Sequence, residues 1–232
     1  MITIVDYGVG NLFSLANSFA AIGADALVTA DEDALRSADR IVLPGVGAFR
    51  DAAEKLRQSG LGRVVAEEAE KGKPLLGICL GMQLLFDKSY EYGEWDGLGL
   101  IPGVIRPIAD VVPAEYKIPH MGWNALVFPG ANRDAAPFSP EQNGASEKNV
   151  RNGAETAAKR VHPLFRYIRE GDFAYFVHSY YAADCDESVI ATAEYGADLT
   201  AAVARDNVMG CQFHPEKSGA VGLAILRAFA EA

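Results

Sequence analysis

Cys79 lies between two glycines in Gly77-Ile78-Cys79-Leu80-Gly81-Met82-Gln83. The apolar run Pro74-Leu75-Leu76 before it reads as a buried strand, and Met82-Gln83-Leu84-Leu85-Phe86 after it reads as the opening of a helix. Small residues on either side of a cysteine permit a sharp, strained strand-to-helix turn that pushes the side chain into a cleft. The first amides of the following helix then favour thiolate, the nucleophilic form. The bland alternative is a buried core cysteine, the commonest fate of that residue. A thiol nucleophile needs a base, and His214-Pro215-Glu216 follows the strand-like Cys211-Gln212-Phe213. Residues two apart in an extended chain face the same side, so Glu216 can hold the His214 imidazole, fix its tautomer and support its cation. Alone, such a pair reads as surface decoration; beside the elbow it reads as base and orienter. His178, set among Tyr175, Phe176, Val177 and Tyr180, is the second candidate base, though its aromatic neighbours suggest packing. His120 and His162 have no neighbouring carboxylate. Cys185, in Asp184-Cys185-Asp186, reads as a turn residue, and Cys211, alternating with Phe213, as core.

The elements that must position these groups alternate. Ile2 to Asp6 is an apolar strand, and Asn11 to Ile22 carries Leu12, Leu15, Ala16 and Phe19 at helical spacing before Gly23. Arg40 to Leu43 is a second strand, ending in Pro44-Gly45-Val46-Gly47. Helices are predicted over Asp51 to Gln58 and Leu61 to Glu70. This is the pattern of an α/β fold: a mainly parallel, flavodoxin-like sheet flanked by helices. Its site belongs at the carboxyl ends of the strands, where Pro44 to Phe49 and Cys79 both fall. The second half is richer in strands, with Tyr175 to Val177, Val189 to Glu194, Thr200 to Ala204 and Met209 to Phe213, and closes with a helix over Ala220 to Ala230.

The chain has 232 residues, half of them apolar, enough for a sizeable core in a single domain over 1–232. A net charge of −10 argues against DNA or RNA as the main partner. Three widely spaced cysteines suggest neither a disulfide framework nor a zinc site, and point to a reducing compartment. No apolar run approaches the roughly 18 residues of a membrane span. Met1 to Val5 already reads as strand rather than leader, so a cytoplasmic protein is expected, with no metal or cofactor. Residues 129–160 lack apolar periodicity and are expected to form a flexible insertion, with a lid as the functional alternative.

PGVGAF at 44–49, GICLGMQLLF at 77–86, PHMGWN at 119–124, YFVHSYY at 175–181 and QFHPEKSG at 212–219 occur in one order. With Asp6-Tyr7-Gly8-Val9-Gly10-Asn11-Leu12 at the start, they make the chain resemble the class I, triad-type glutamine amidotransferases. Among these it is most similar to the glutaminase subunits of imidazole glycerol phosphate synthases. The segment 129–160 departs from that family, whose connection there is shorter. The resemblance implies that Cys79 attacks the carboxamide of glutamine, His214 moves the proton and Glu216 orients it. It implies an oxyanion hole from the amide of Leu80 with that of Val46 or Gly47. Gly47, Gln83, Ser179 and Tyr180 would hold the α-amino and α-carboxylate groups. The implied partner is a (β/α)8-barrel synthase subunit of histidine biosynthesis, which takes the ammonia, docked near Asn11, Met121 and Trp123. The glutaminase subunit of pyridoxal phosphate synthase is a rival that usually carries Gly-Gly-Glu-Ser where this chain has Pro44-Gly45-Val46-Gly47. A non-catalytic regulatory module would be expected to have lost Cys79, His214 or Glu216, and a cysteine peptidase would not need Gln83 or the 178–181 segment.

Overall fold

The computed structural model describes residues 1–129 and 161–232. Apart from Pro129, the insertion expected over 129–160 lies outside the described residues. The chain runs β1 (Ile2–Val5), α1 (Leu12–Ala21), β2 (Ala26–Thr29), α2 (Glu32–Ser37), β3 (Arg40–Gly45), α3 (Phe49–Gln58) and α4 (Leu61–Glu70). Next come β4 (Leu75–Cys79), α5 (Leu80–Gln83), β5 (Phe86–Ser89), β6 (Trp95–Asp96), β7 (Ile101–Pro107) and β8 (His120–Ala125). It ends with β9 (Phe173–His178), β10 (Tyr180–Ala183), β11 (Val189–Glu194), β12 (Asp198–Arg205), β13 (Val208–Cys211) and α6 (Gly219–Ala230).

The main sheet has seven strands in the order β11-β12-β13-β4-β3-β1-β2. From β13 to β2 every pairing is parallel, as expected, while β11 and β12 extend the sheet with antiparallel pairings. A four-stranded sheet, β10-β7-β5-β6, and a two-stranded antiparallel sheet, β8-β9, pack beside it.

Side-chain alternation explains why both faces are covered. Along β3, Ile41 and Leu43 point into one core with Phe49, Leu56, Val64 and Val65 of α3 and α4. Val42, between them, points into the other core with Leu15 and Phe19 of α1 and Ile225, Leu226 and Phe229 of α6. Successive strand residues face opposite sides, so a strand buried on both must be apolar throughout. Each such side chain, taken fully out of water, contributes about 1.5–3 kcal/mol.

The helix expected from Met82 through Phe86 is only the single turn α5. Beyond Gln83 the chain is claimed by the second sheet. Leu84 and Leu85 accept backbone bonds from Leu98, Leu100 and Ile101, and Phe86 pairs with Ile101. Distant pairing overrides a local helical pattern here. Cys185 occupies the turn between β10 and β11, as expected, and is also buried in the core, where burial pushes its thiol up to about 11. Cys211 is fully buried, as expected. No described helix is long and apolar enough to cross a membrane.

Candidate active site

The elbow is built by three close approaches. An added Cβ on Gly81 would stand 1.9 Å from the Leu43 carbonyl oxygen, and one on Gly77 would stand 2.7 Å from the Gly81 carbonyl oxygen. Gly45 likewise abuts the Gly81 amide nitrogen at 2.7 Å from its notional Cβ. Glycine is therefore required for the turn to nest against β3. Between these glycines Cys79 takes φ +54 and ψ −112, a region that L-residues rarely enter. Such strain costs on the order of 1–3 kcal/mol and marks a functional constraint. Gly81→Ala is accordingly expected to destabilise the fold by at least about 2 kcal/mol, because a clash with backbone cannot be relieved by a side-chain rotation. A urea denaturation midpoint would measure this.

In the β3-β4 register Gly45 pairs with Cys79, so the Pro44–Gly47 turn lies directly beside the elbow. Tyr7 donates to the Pro44 carbonyl at 2.8 Å and fixes the start of that turn. Gly47 has φ +95, and Val46 is partly exposed at the cleft. Leu80 opens α5, where a helix amide has no intrahelical acceptor. Val46, Gly47 and Leu80 all line one cleft with Cys79.

His214 arrives from the other side. β13 pairs with β4, and three residues beyond its end the His214 amide donates to the Tyr175 carbonyl of β9 at 2.9 Å. His214 Nδ1 lies 2.9 Å from Glu216 Oε1, both side chains being 3% exposed. That contact leaves Nε2 for the thiol. Burial pushes the His214 pKa down, but hydrogen bonds with Cys79 and Glu216 outweigh it and raise the pKa to about 9. The second Glu216 oxygen is buried with no hydrogen-bond donor among the described residues.

The cleft has a volume of about 590 Å³, within the range of small-molecule sites. Gln83, Ser179, Tyr180, Glu91, Tyr92 and His178 complete much of its wall. All four residues expected to hold the ends of glutamine are there. Gln83, however, spends its amide N–H groups inside the protein, on Gln212 Oε1 at 3.0 Å and the Tyr180 carbonyl at 3.3 Å. His178 is not free to act as a base: Nδ1 contacts the Tyr180 carbonyl at 2.8 Å and Nε2 contacts His120 at 2.9 Å. His162 accepts from the Leu164 amide at 3.2 Å and does not line the cleft.

Two groups near the nucleophile, Gln212 buried behind it and Glu91 in the cleft wall, had no role from sequence. Gln212 Nε2 donates to the Cys79 sulfur at 3.7 Å. It stands two residues before His214, just beyond the end of β13 at Cys211. Glu91 comes from the β5-β6 loop and also accepts from the Phe49 amide at the start of α3. No local pattern announces it. Of the surface candidates, Met121 and Trp123 are 61% and 55% exposed. Asn11 lines a narrow crevice with Glu216 and makes no capping bond to α1. Among the described residues no cluster of His, Cys, Asp and Glu could hold a metal ion.

A parallel sheet covered on both faces, with a cysteine elbow facing a His–Glu pair, fits a class-I glutamine amidotransferase, and the family model described as glutamine amidotransferase class-I matches residues 3–231. Solved structures agree on the fold. One described as a glutamine amidotransferase gives a TM-score of 0.68 at 18% identity, covering 100% of this chain and 98% of its own. PurLQS from Thermotoga maritima gives 0.67 at 18% identity, covering 99% and 97%. Imidazole glycerol phosphate synthase subunit HisH of Wolinella succinogenes is 45% identical over 100% of this chain and 99% of its own length. The subunit of the same name from Geobacter sulfurreducens is 42% identical over 99% and 98%. The chain belongs to the class-I glutamine amidotransferases and, within them, to the family of HisH subunits of imidazole glycerol phosphate synthase.

Proposed function

We propose that this chain hydrolyses glutamine to glutamate and ammonia, and hands the ammonia to a (β/α)8-barrel synthase subunit that makes imidazole glycerol phosphate in histidine biosynthesis. The observation that carries this is the series Cys79–His214–Glu216, with Cys79 and His214 lining a glutamine-sized cleft and Glu216 bonded to His214 behind it. The Cys79 sulfur attacks the carboxamide carbon, and His214 delivers a proton to the departing ammonia. A γ-glutamyl thioester remains; water, deprotonated by His214, attacks it and releases glutamate and the thiol. Charge developing on the carbonyl oxygen falls between the Leu80 amide and that of Val46 or Gly47. A donor of this kind is worth about 2.7–4 kcal/mol of barrier. Gly47, Ser179 and Tyr180 hold the α-groups of glutamine, and Glu91 supplies a carboxylate for its ammonium end.

Ammonia released into water becomes mostly ammonium, which is no nucleophile, so hydrolysis is useful only beside the acceptor. We place the partner over Asn11, Met121 and Trp123; exposed Met and Trp side chains are favoured interface anchors. Residues 1–232 act as one amidotransferase domain of the cytoplasm. The test is to mix the purified chain with a barrel subunit of the histidine pathway and measure glutamate release with and without its ribotide ligand. Release is expected to be low for the chain alone and to rise with the liganded partner. Full activity alone, or none with the partner, overturns the reading.

A further inference from the structure

His120 and His178 are buried outside the triad, at 3% and 6% exposure. They stand opposite one another in the β8-β9 register, with His120 Nδ1 2.9 Å from His178 Nε2. Each end of this pair meets a group of fixed polarity. His178 Nδ1 lies 2.8 Å from the Tyr180 carbonyl oxygen, which can only accept. His120 Nε2 lies 3.2 Å from Asn124 Nδ2. The Asn124 amide is itself held by the backbone, its Oδ1 accepting from the Ala125 amide at 2.8 Å and its Nδ2 donating to the Glu194 carbonyl at 2.7 Å.

Burial lowers the His178 pKa to about 3 and that of His120 to about 4, so each ring carries one proton near neutral pH. Only one placement of those protons is then possible. Asn124 donates to His120, His120 to His178 through Nδ1–H, and His178 to the Tyr180 carbonyl through Nδ1–H. His120 is further clamped between the rings of Phe176 and Tyr195, whose centroids lie 4.9 and 4.3 Å away.

The Tyr180 carbonyl is also where Gln83 Nε2 donates, at 3.3 Å. Gln83 in turn bonds Gln212 Oε1 at 3.0 Å, and Gln212 Nε2 reaches the Cys79 sulfur at 3.7 Å. We propose that His120 and His178 are positioning residues: the pair holds the Tyr180 carbonyl where it anchors Gln83, and through Gln83 the Gln212 amide that donates to the Cys79 sulfur. The inference rests on the glutaminase reading above. It accounts for two motif histidines that proton transfer at Cys79 does not use.

The stereochemistry supplies the test. An asparagine amide nitrogen can occupy the place of histidine Nδ1, whereas a glutamine amide lies near Nε2. In the assembled complex His178→Gln and His178→Leu are expected to raise KM for glutamine about tenfold, with a smaller change in kcat, as for a lost buried hydrogen bond. His178→Asn is expected to recover most of that loss. His120→Phe, which touches nothing in the cleft, is expected to raise KM as well, because His178 is then free to protonate Nε2 instead. Imidazole ¹⁵N spectra of the chain alone should show both rings as neutral Nδ1–H tautomers, and His120→Phe should loosen that state at His178. Equal KM for the Asn and Gln variants at 178, or an Nε2–H tautomer at His178 in the unaltered chain, overturns the proposal. Absence of glutamate release by the unaltered complex would instead sink the glutaminase reading, and the spectra would still report on the pair.

Discussion

Cys79→Ala is expected to abolish glutamine-dependent synthesis in the complex, by about 10⁴-fold or more, while synthesis from added ammonium salts stays near the unaltered rate. The size follows from losing the covalent step itself: removal of a nucleophile that acts as a unit with its base leaves only binding and oxyanion stabilisation. The selectivity follows from topology, since the ammonia-using step belongs to the other subunit. Equal loss of both activities would show that Cys79 supports the partner by some route other than hydrolysis. Stability offers a second readout. Alanine at 79 still meets φ +54, so it keeps the strain, whereas Cys79→Gly relieves it. The glycine variant is therefore expected to be about 1 kcal/mol more stable than the alanine one, although both are inactive. A fold in which the elbow were unstrained would show the opposite order, because glycine loses more entropy on folding.

How much of this was legible in the sequence depended on range. The elbow was legible because its causes are local: Gly77 and Gly81 flank Cys79 within one turn, and both prove to be needed for contact with neighbouring backbone. His214 and Glu216 were read as a pair from the two-residue repeat of an extended chain; they do meet, but across the 3₁₀ turn Pro215–Lys217, so the reading was right for the pair and wrong for its cause. That Cys79 and His214 meet is a fact of sheet order, β13 beside β4, and no local pattern carries it; the resemblance supplied it. Leu84 to Phe86 looked like continuing helix because the residues that claim them for the second sheet lie far along the chain, at Leu98 to Ile101. The same blindness hid Glu91, whose loop is brought to the cleft only by that second sheet. His120 looked inert for want of a neighbouring carboxylate, but its partner is another histidine on the paired strand β9. Gln212 was missed too, although it lies in the same short segment as His214, just past the end of β13.

Glu216→Gln tests the support that the carboxylate gives to the His214 imidazolium. In the unaltered chain the imidazole is protonated up to about pH 9, because burial is outweighed by the Cys79 and Glu216 bonds. The folded pKa lies above the ordinary 6.5, so the contribution to stability is fully present below about pH 6.5 and is lost as pH rises through about 9. Hydrolysis should follow the same limb, falling above pH 9 as His214 loses the proton that ammonia departure requires. Glutamine at 216 can turn its NH₂ toward Nδ1 and favour the wrong tautomer, and it removes the charge that supports the imidazolium. A kcat loss of about 10³-fold at pH 8 is expected, with the alkaline midpoint shifted down toward the ordinary histidine value. Stability should fall as well below about pH 9, because the variant loses the bond that supports the buried imidazolium, and the difference should fade above about pH 9, where His214 is neutral in both chains. A melting temperature lowered at pH 8 but level well above pH 9, together with the lost kcat, identifies Glu216 as a group that acts through the protonation of His214. A variant that unfolds would show instead that the carboxylate holds the 214–218 turn together, and an unshifted alkaline limb would separate Glu216 from the titration of His214.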